Sequence, residues 1–154
     1  MTSITAIQEL ARQVRTDTRR MLAAARPEWL TWAPPGTSNH LLWHAGHALW
    51  LGDVLGVQLL TGRSELADGW AEMFGMDCLP VKERRTWPAR GDLDQLLGRQ
   101  LERLVQLLGQ ADEGRLWQPR HGDTLAGRII HGLHDEAKHQ GEMYLLLKMC
   151  RAQT

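Results

Sequence analysis

Two short stretches hold most of the side chains able to bind a metal ion or move a proton. The first is Asn39-His-Leu-Leu-Trp-His-Ala-Gly-His-Ala-Leu-Trp, with His40, His44 and His47. The second is Ile130-His-Gly-Leu-His-Asp-Glu-Ala-Lys-His-Gln-Gly-Glu, with His131, His134, Asp135, His139 and Glu142. Imidazoles and carboxylates suit zinc, nickel or iron, and on one helix they must stand three or four residues apart to share an ion. At about 100° per residue, positions 131, 135 and 139 form one slowly drifting row, so Asp135 and His139 can grip one cation. His134 and His139 are five apart, about 140° round the axis, and cannot easily share one. In the first stretch His47 follows Trp43 by one turn and precedes Trp50 by another, so it shares their face. His44 lies about 60° away and His40 further still. Two indoles beside an imidazole mark an inward, partly desolvated face, which makes His47 the expected third ligand. Two His and one carboxylate leave coordination positions open, the pattern of a catalytic rather than a closed structural site. His131, Glu142 and His44 are the candidates to orient a ligand or exchange a proton. The competing reading is plain: a lone His on a half-apolar helix is usually a satisfied core or surface residue, and His40, His121 and His134 read that way. Spacing makes the metal site possible and does not require it.

These side chains need helices to hold them, and helical periodicity dominates the chain. Residues 4–25 carry Ile7, Leu10, Val14 and Met21-Leu22 near a 3.6 spacing and stop before Pro27, which cannot extend a helix. Thr37-Ser38 offers a cap for an apolar helix running to Leu60, which Thr61-Gly62 ends. A short helix is expected within 64–74, then a long loop over 75–91. Asp92 is the expected cap of a helix with Leu93, Leu96-Leu97, Leu101, Leu104 and Leu107-Leu108 inside. After a connector over 112–123, a last helix runs from 124 to 151 with Leu125, Ile129, Leu133, Met143, Leu147 and Cys150 inside. No segment alternates with period two for long. The pattern predicts an all-α four-helix bundle with long connections, one domain over residues 1–154.

Composition narrows the function. Eighteen basic and eighteen acidic residues give no net charge among 154 residues, so no basic field exists for a nucleic-acid partner. The apolar runs, such as 143–147, are too short to span a membrane, and the N-terminus lacks the marks of a signal peptide; a cytoplasmic chain is expected. Cys78 and Cys150 do not form a CxxC pair and read as reduced thiols, Cys150 in the core and Cys78 more exposed in a loop. Seven Trp beside one Tyr and one Phe supply both core and pocket wall. Apolar surface left over on a long amphipathic helix points to a homodimer.

Trp43-His-Ala-Gly-His-Ala-Leu-Trp followed by Gly132-Leu-His-Asp-Glu-Ala-Lys-His-Gln-Gly-Glu-Met resembles the DinB superfamily of DinB/YfiT-like metalloenzymes. A similar motif pair occurs in the N-terminal bundle of ergothioneine-forming sulfoxide synthases, which begins with Trp-His-x-x-His and later has His-x-x-x-His-Gln. The resemblance implies a divalent metal (zinc, nickel or iron) held by His47, Asp135 and His139. Position 135 departs from the pattern, since many members have His there; some thiol-dependent isomerases of the superfamily use a carboxylate. Characterised relatives include bacillithiol- and mycothiol-dependent S-transferases and maleylpyruvate isomerase. The activity implied is therefore transfer to a small-molecule electrophile from a low-molecular-weight thiol cosubstrate, whose pKa the cation lowers. The alternatives are a metal-dependent hydrolase, in which water replaces the thiol, and a non-catalytic bundle that binds a metal or ligand without turning it over.

Overall fold

The computed structural model describes residues 2–78, 80 and 86–153. Seven α-helical segments are described: α1 (Ser3–Ala24), α2 (Leu41–Gly52), α3 (Gln58–Thr61), α4 (Trp70–Phe74), α5 (Arg90–Gln110), α6 (Glu113–Trp117) and α7 (Leu125–Ala152). Among the described residues there is no β-strand, only an isolated bridge between Arg120 and Asp123. The fold is an all-α bundle in which α1 packs on α5 and α7, and α2 packs on α7 and α5.

Local chemistry sets the ends of these helices. The Thr2 hydroxyl accepts from the Thr5 amide to start α1, and Thr124 does the same for Gly127 at the start of α7. Ahead of α2 the cap is His40 rather than Thr37 or Ser38: its Nδ1 accepts from the Trp43 amide at 3.1 Å, a ring nitrogen doing what a hydroxyl usually does. α5 starts at Arg90, so Asp92 lies in the first turn, where its charge still favours the helix N-terminus. Gly62, at φ 84°, ends α3 in the left-handed region.

The expected uninterrupted helix to Leu60 is broken by a π-turn over Asp53–Val57, a device that inserts one extra residue and is frequent beside functional sites. Asp53 is buried there and accepts from Ser64 Oγ at 2.6 Å and the Glu65 amide at 3.0 Å, folding the chain back. The short helix expected within 64–74 is confined to α4, and the 112–123 connector contains α6. Part of the expected 75–91 loop, at 79 and 81–85, lies outside the described residues.

Two apolar clusters fill the bundle. One gathers Leu22, Leu41, Leu49, Leu93, Leu97 and Met143; the other gathers Ile7, Leu104, Leu108, Leu116, Ile129 and Leu133. Between them in sequence, on α1 and α7, stand Arg15 and Glu136, both buried and paired through two hydrogen bonds of 2.9 and 3.0 Å. Thr18 donates to Glu136 at 2.7 Å, while Arg15 also donates to Gln100 and to the carbonyls of Leu97 and Ala48. The pair is thus fully hydrogen-bonded, the condition under which a buried charge is tolerated. Leu10, expected inside, is on the rim at 36% exposure. Cys78, expected to be more exposed, is buried, with its thiol 2.8 Å from the Met73 carbonyl; neither cysteine is in a disulfide.

Candidate metal centre

α2 delivers two imidazoles to the bundle interior and α7 delivers a third. Every residue from Leu41 to Leu49 is buried, so this helix has no solvent face along that stretch. His44 and His47 are each only 1% exposed. The Trp face expected for His47 is present: Trp43 stacks on it at 4.5 Å between ring centroids and Trp50 at 5.3 Å. His139 reaches in from α7, its ring 4.6 Å from that of His47 and 5.1 Å from that of His44. His44, about 60° round the axis from His47, reaches the same interior because a helix enclosed on all sides buries every face.

Hydrogen bonding fixes the tautomer of His47. His47 Nδ1 lies 2.6 Å from the Phe74 carbonyl, which can only accept, so Nδ1 carries the proton and Nε2 keeps its lone pair. A carbonyl behind the distant ring nitrogen is the usual support of a metal-binding imidazole. The Phe74 carbonyl gets this close because residue 46 is glycine, with the Phe74 ring lying over its Cα. α4 is tied to the same spot by Trp70 Nε1, which donates to the Gly46 carbonyl at 3.0 Å. Neither Gly46 nor Phe74 is singled out by periodicity; the available signal was a glycine in mid-helix between two histidines, which costs about 1 kcal/mol against Ala without a packing reason.

His44 and His139 face each other through their Nδ1 atoms at 3.1 Å, and Glu142 Oε2 lies 3.3 Å from His44 Nε2. That Nε2 is buried and makes no hydrogen bond among the described residues. Burial pushes His47 down to about 4 and His44 to about 3, the latter helped by its histidine neighbours; burial also lowers His139. At neutral pH all three are uncharged lone-pair donors. Three neutral imidazoles with carboxylates alongside and an unused buried nitrogen form a donor set that fits a borderline divalent cation.

The carboxylates are placed less simply. One ligand atom each from His44, His139 and Glu142 lies within 4.8 Å of the others. A second group on the same terms is His131, His134 and Asp135, at the surface of α7. Asp135 is half-buried, accepting from Lys138 Nζ at 2.9 Å with His131 Nε2 at 3.3 Å, and Lys138 first and His131 next hold its pKa below the ordinary carboxylate value. His47 and His139 are thus in ring contact, but together with Asp135 they do not form one of these tight groups. His134 is exposed and away from His139, and His121 is exposed on the connector before α7. A cleft of about 440 Å³ opens beside His44 and Glu142, walled by Ser38 and Asn39 on one side and Leu146 and Met149 on the other.

The family model of the DinB superfamily matches residues 10–143. The chain belongs to the DinB superfamily. DinB superfamily membership and the candidate metal-binding residues together fit a metal-dependent enzyme. A crystal structure titled as the conserved protein of locus from Enterococcus faecalis has the same fold, with a TM-score of 0.64 over 96% of each chain at 18% identity. No curated protein matches the chain in sequence. Among the described residues no helix is long and apolar enough to cross a membrane.

Proposed function

We propose that this DinB superfamily chain is a divalent-metal-dependent enzyme that transfers a low-molecular-weight thiol to a small-molecule electrophile. One observation carries the reading: the Phe74 carbonyl fixes the proton of His47 on Nδ1 and leaves Nε2 as a ligand beside His139. His47 and His139 would hold the ion, with the carboxylate of Asp135 completing the set from one turn before His139. The cation, zinc, nickel or iron, would lower the pKa of the bound thiol. The chain's own residues supply the rest. Trp43 and Trp50 cover His47 and keep water from its ring. The cleft admits a substrate beside His44, and Glu142, more than half exposed at its mouth, exchanges a proton with solvent. That position of Glu142 also supports hydrolysis as the second reading, with the carboxylate taking the proton of water.

The whole chain is read as one bundle acting in the cytoplasm, and as a homodimer because Tyr144 and Leu145 leave apolar surface on α7. The test is elemental analysis of protein purified without a His-tag, followed by a thiol-consumption assay with an electrophile. One equivalent of metal and metal-dependent loss of thiol are expected. Metal without thiol loss or hydrolysis leaves a binding bundle, and a protein that cannot be loaded with metal overturns the reading.

A further inference from the structure

The geometry points to a second cation site on the solvent face of α7, formed by His131, His134 and Asp135. Their spacing is i, i+3 and i+4, which puts His131 between the other two on the helix surface. One ligand atom from each lies within 4.8 Å of the others, and His131 Nε2 is already 3.3 Å from Asp135 Oδ2. Around an ion with bonds near ~2.0–2.2 Å, ligand atoms stand about 3–3.5 Å apart, so modest side-chain rotations close the trio. Nothing resists those rotations, because the His131 side chain is 61% exposed and His134 is exposed too. Lys138 occupies the other oxygen, Oδ1, and thereby holds Oδ2 on the His131 side; its own side chain is 58% exposed and free to swing away from an arriving cation.

Two imidazoles and one carboxylate select borderline divalent ions such as nickel, copper or zinc over magnesium and calcium, which prefer all-oxygen shells. With three protein ligands at an open surface, water fills the remaining positions, so this site is the weaker of the two. It shares neither imidazole with the buried centre, and the inference rests on Asp135 as it is oriented here rather than on the enzymatic reading. Asp135 is the one residue common to the two sets, which couples them: with both ions bound, that carboxylate stays outside and the buried ion would be left to His47, His139 and solvent.

Nickel binding to the untagged full chain, followed by equilibrium dialysis, tests the site. The unaltered protein is expected to bind two equivalents, the second at least tenfold more weakly. H131A/H134A should lose the weaker equivalent and keep the tighter one, and both positions are exposed, so folding is not at risk. In H47A/H139A, which lacks the buried site, paramagnetic nickel should broaden the His131 and His134 ring resonances before that of His121. D135N should weaken the outer event. H131A/H134A binding nickel as the unaltered protein does, or broadening that spares both rings, would overturn the proposal. The buried centre fails separately: H47A/H139A would then bind as much nickel as the unaltered protein, whatever the outer pair does.

Discussion

Replacing Gly46 with Ala isolates the support of the candidate metal centre without touching a ligand. A Cβ at position 46 would sit closer than 3.0 Å to three carbons of the Phe74 ring. To restore ordinary contact the ring must withdraw by about 1 Å. It has nowhere to go, being fully buried with Trp70 at 4.9 Å and Trp87 at 5.7 Å between ring centroids. The displacement therefore falls on the short α4, whose last residue carries the carbonyl that holds His47 Nδ1 at 2.6 Å. Overpacking costs about 1–3 kcal/mol, offset by about 1 kcal/mol from the better helix former, so net destabilisation stays near or below 2 kcal/mol. Metal affinity should fall by about 10- to 100-fold, since the loss of a support to a ligand imidazole has that typical effect. Competition with a chromophoric chelator reads the affinity and urea unfolding of the metal-free protein reads stability. A variant that binds metal as tightly as the unaltered protein would refute the role given to the Phe74 carbonyl.

Single substitutions separate the donor sets of the buried centre: H139A should lose the tighter equivalent under either, H47A only if the Phe74-supported imidazole is a ligand, and D135N against E142Q decides which carboxylate takes part in it, all by elemental analysis after dialysis. Glu136→Ala should destabilise the fold by about 3–5 kcal/mol in urea unfolding, because Arg15 is left buried and unpaired. The metal-free protein should lose stability in acid. His40 and His47 are lowered from the ordinary 6.5 to about 4 by burial, so the unfolded chain takes up their protons first. Their contribution is whole above pH 6.5, shrinks as pH falls, and is gone once pH has passed below about 4. At about 1.4 kcal/mol per unit, each accounts for ~3 kcal/mol, measurable as a falling urea midpoint across that window.

Periodicity makes the long helices legible because each of α1, α5 and α7 has a wet and a dry side, with Leu93, Leu97, Leu104 and Leu108 as the plainest case. It fails on α2 for the opposite reason. With all sides dry between Leu41 and Leu49, there is no stripe to read, and apart from the family resemblance only the Trp spacing favours His47 over His44. The π-turn at Asp53–Val57 is invisible to a fixed 100° step, since the residues on either side look equally helical. The His40 cap is not legible in the sequence because a ring nitrogen rarely plays that part. Asp135 and His139 stand one turn apart on α7, but that spacing gives position and not the rotamer that Lys138 selects.

The buried Arg15–Glu136 pair explains how such an enclosed histidine cluster is kept in register. Glu136 lies three residues before His139 on α7, and Arg15 binds it while also donating to the Ala48 carbonyl, one residue past His47 on α2. The guanidinium thus joins the two helices that bring the imidazoles together, at the level where they meet. Sliding α7 by one residue would break two charged hydrogen bonds and bury the charges unpaired, a far larger penalty than any single apolar contact imposes. Gln140 adds a second lock, donating to Thr18 at 2.9 Å, and Thr18 in turn donates to Glu136. Glu136 and Gln140, three residues before His139 and one after it, are therefore both held by α1, which fixes the stretch of α7 that presents the His139 ring to His44 and His47.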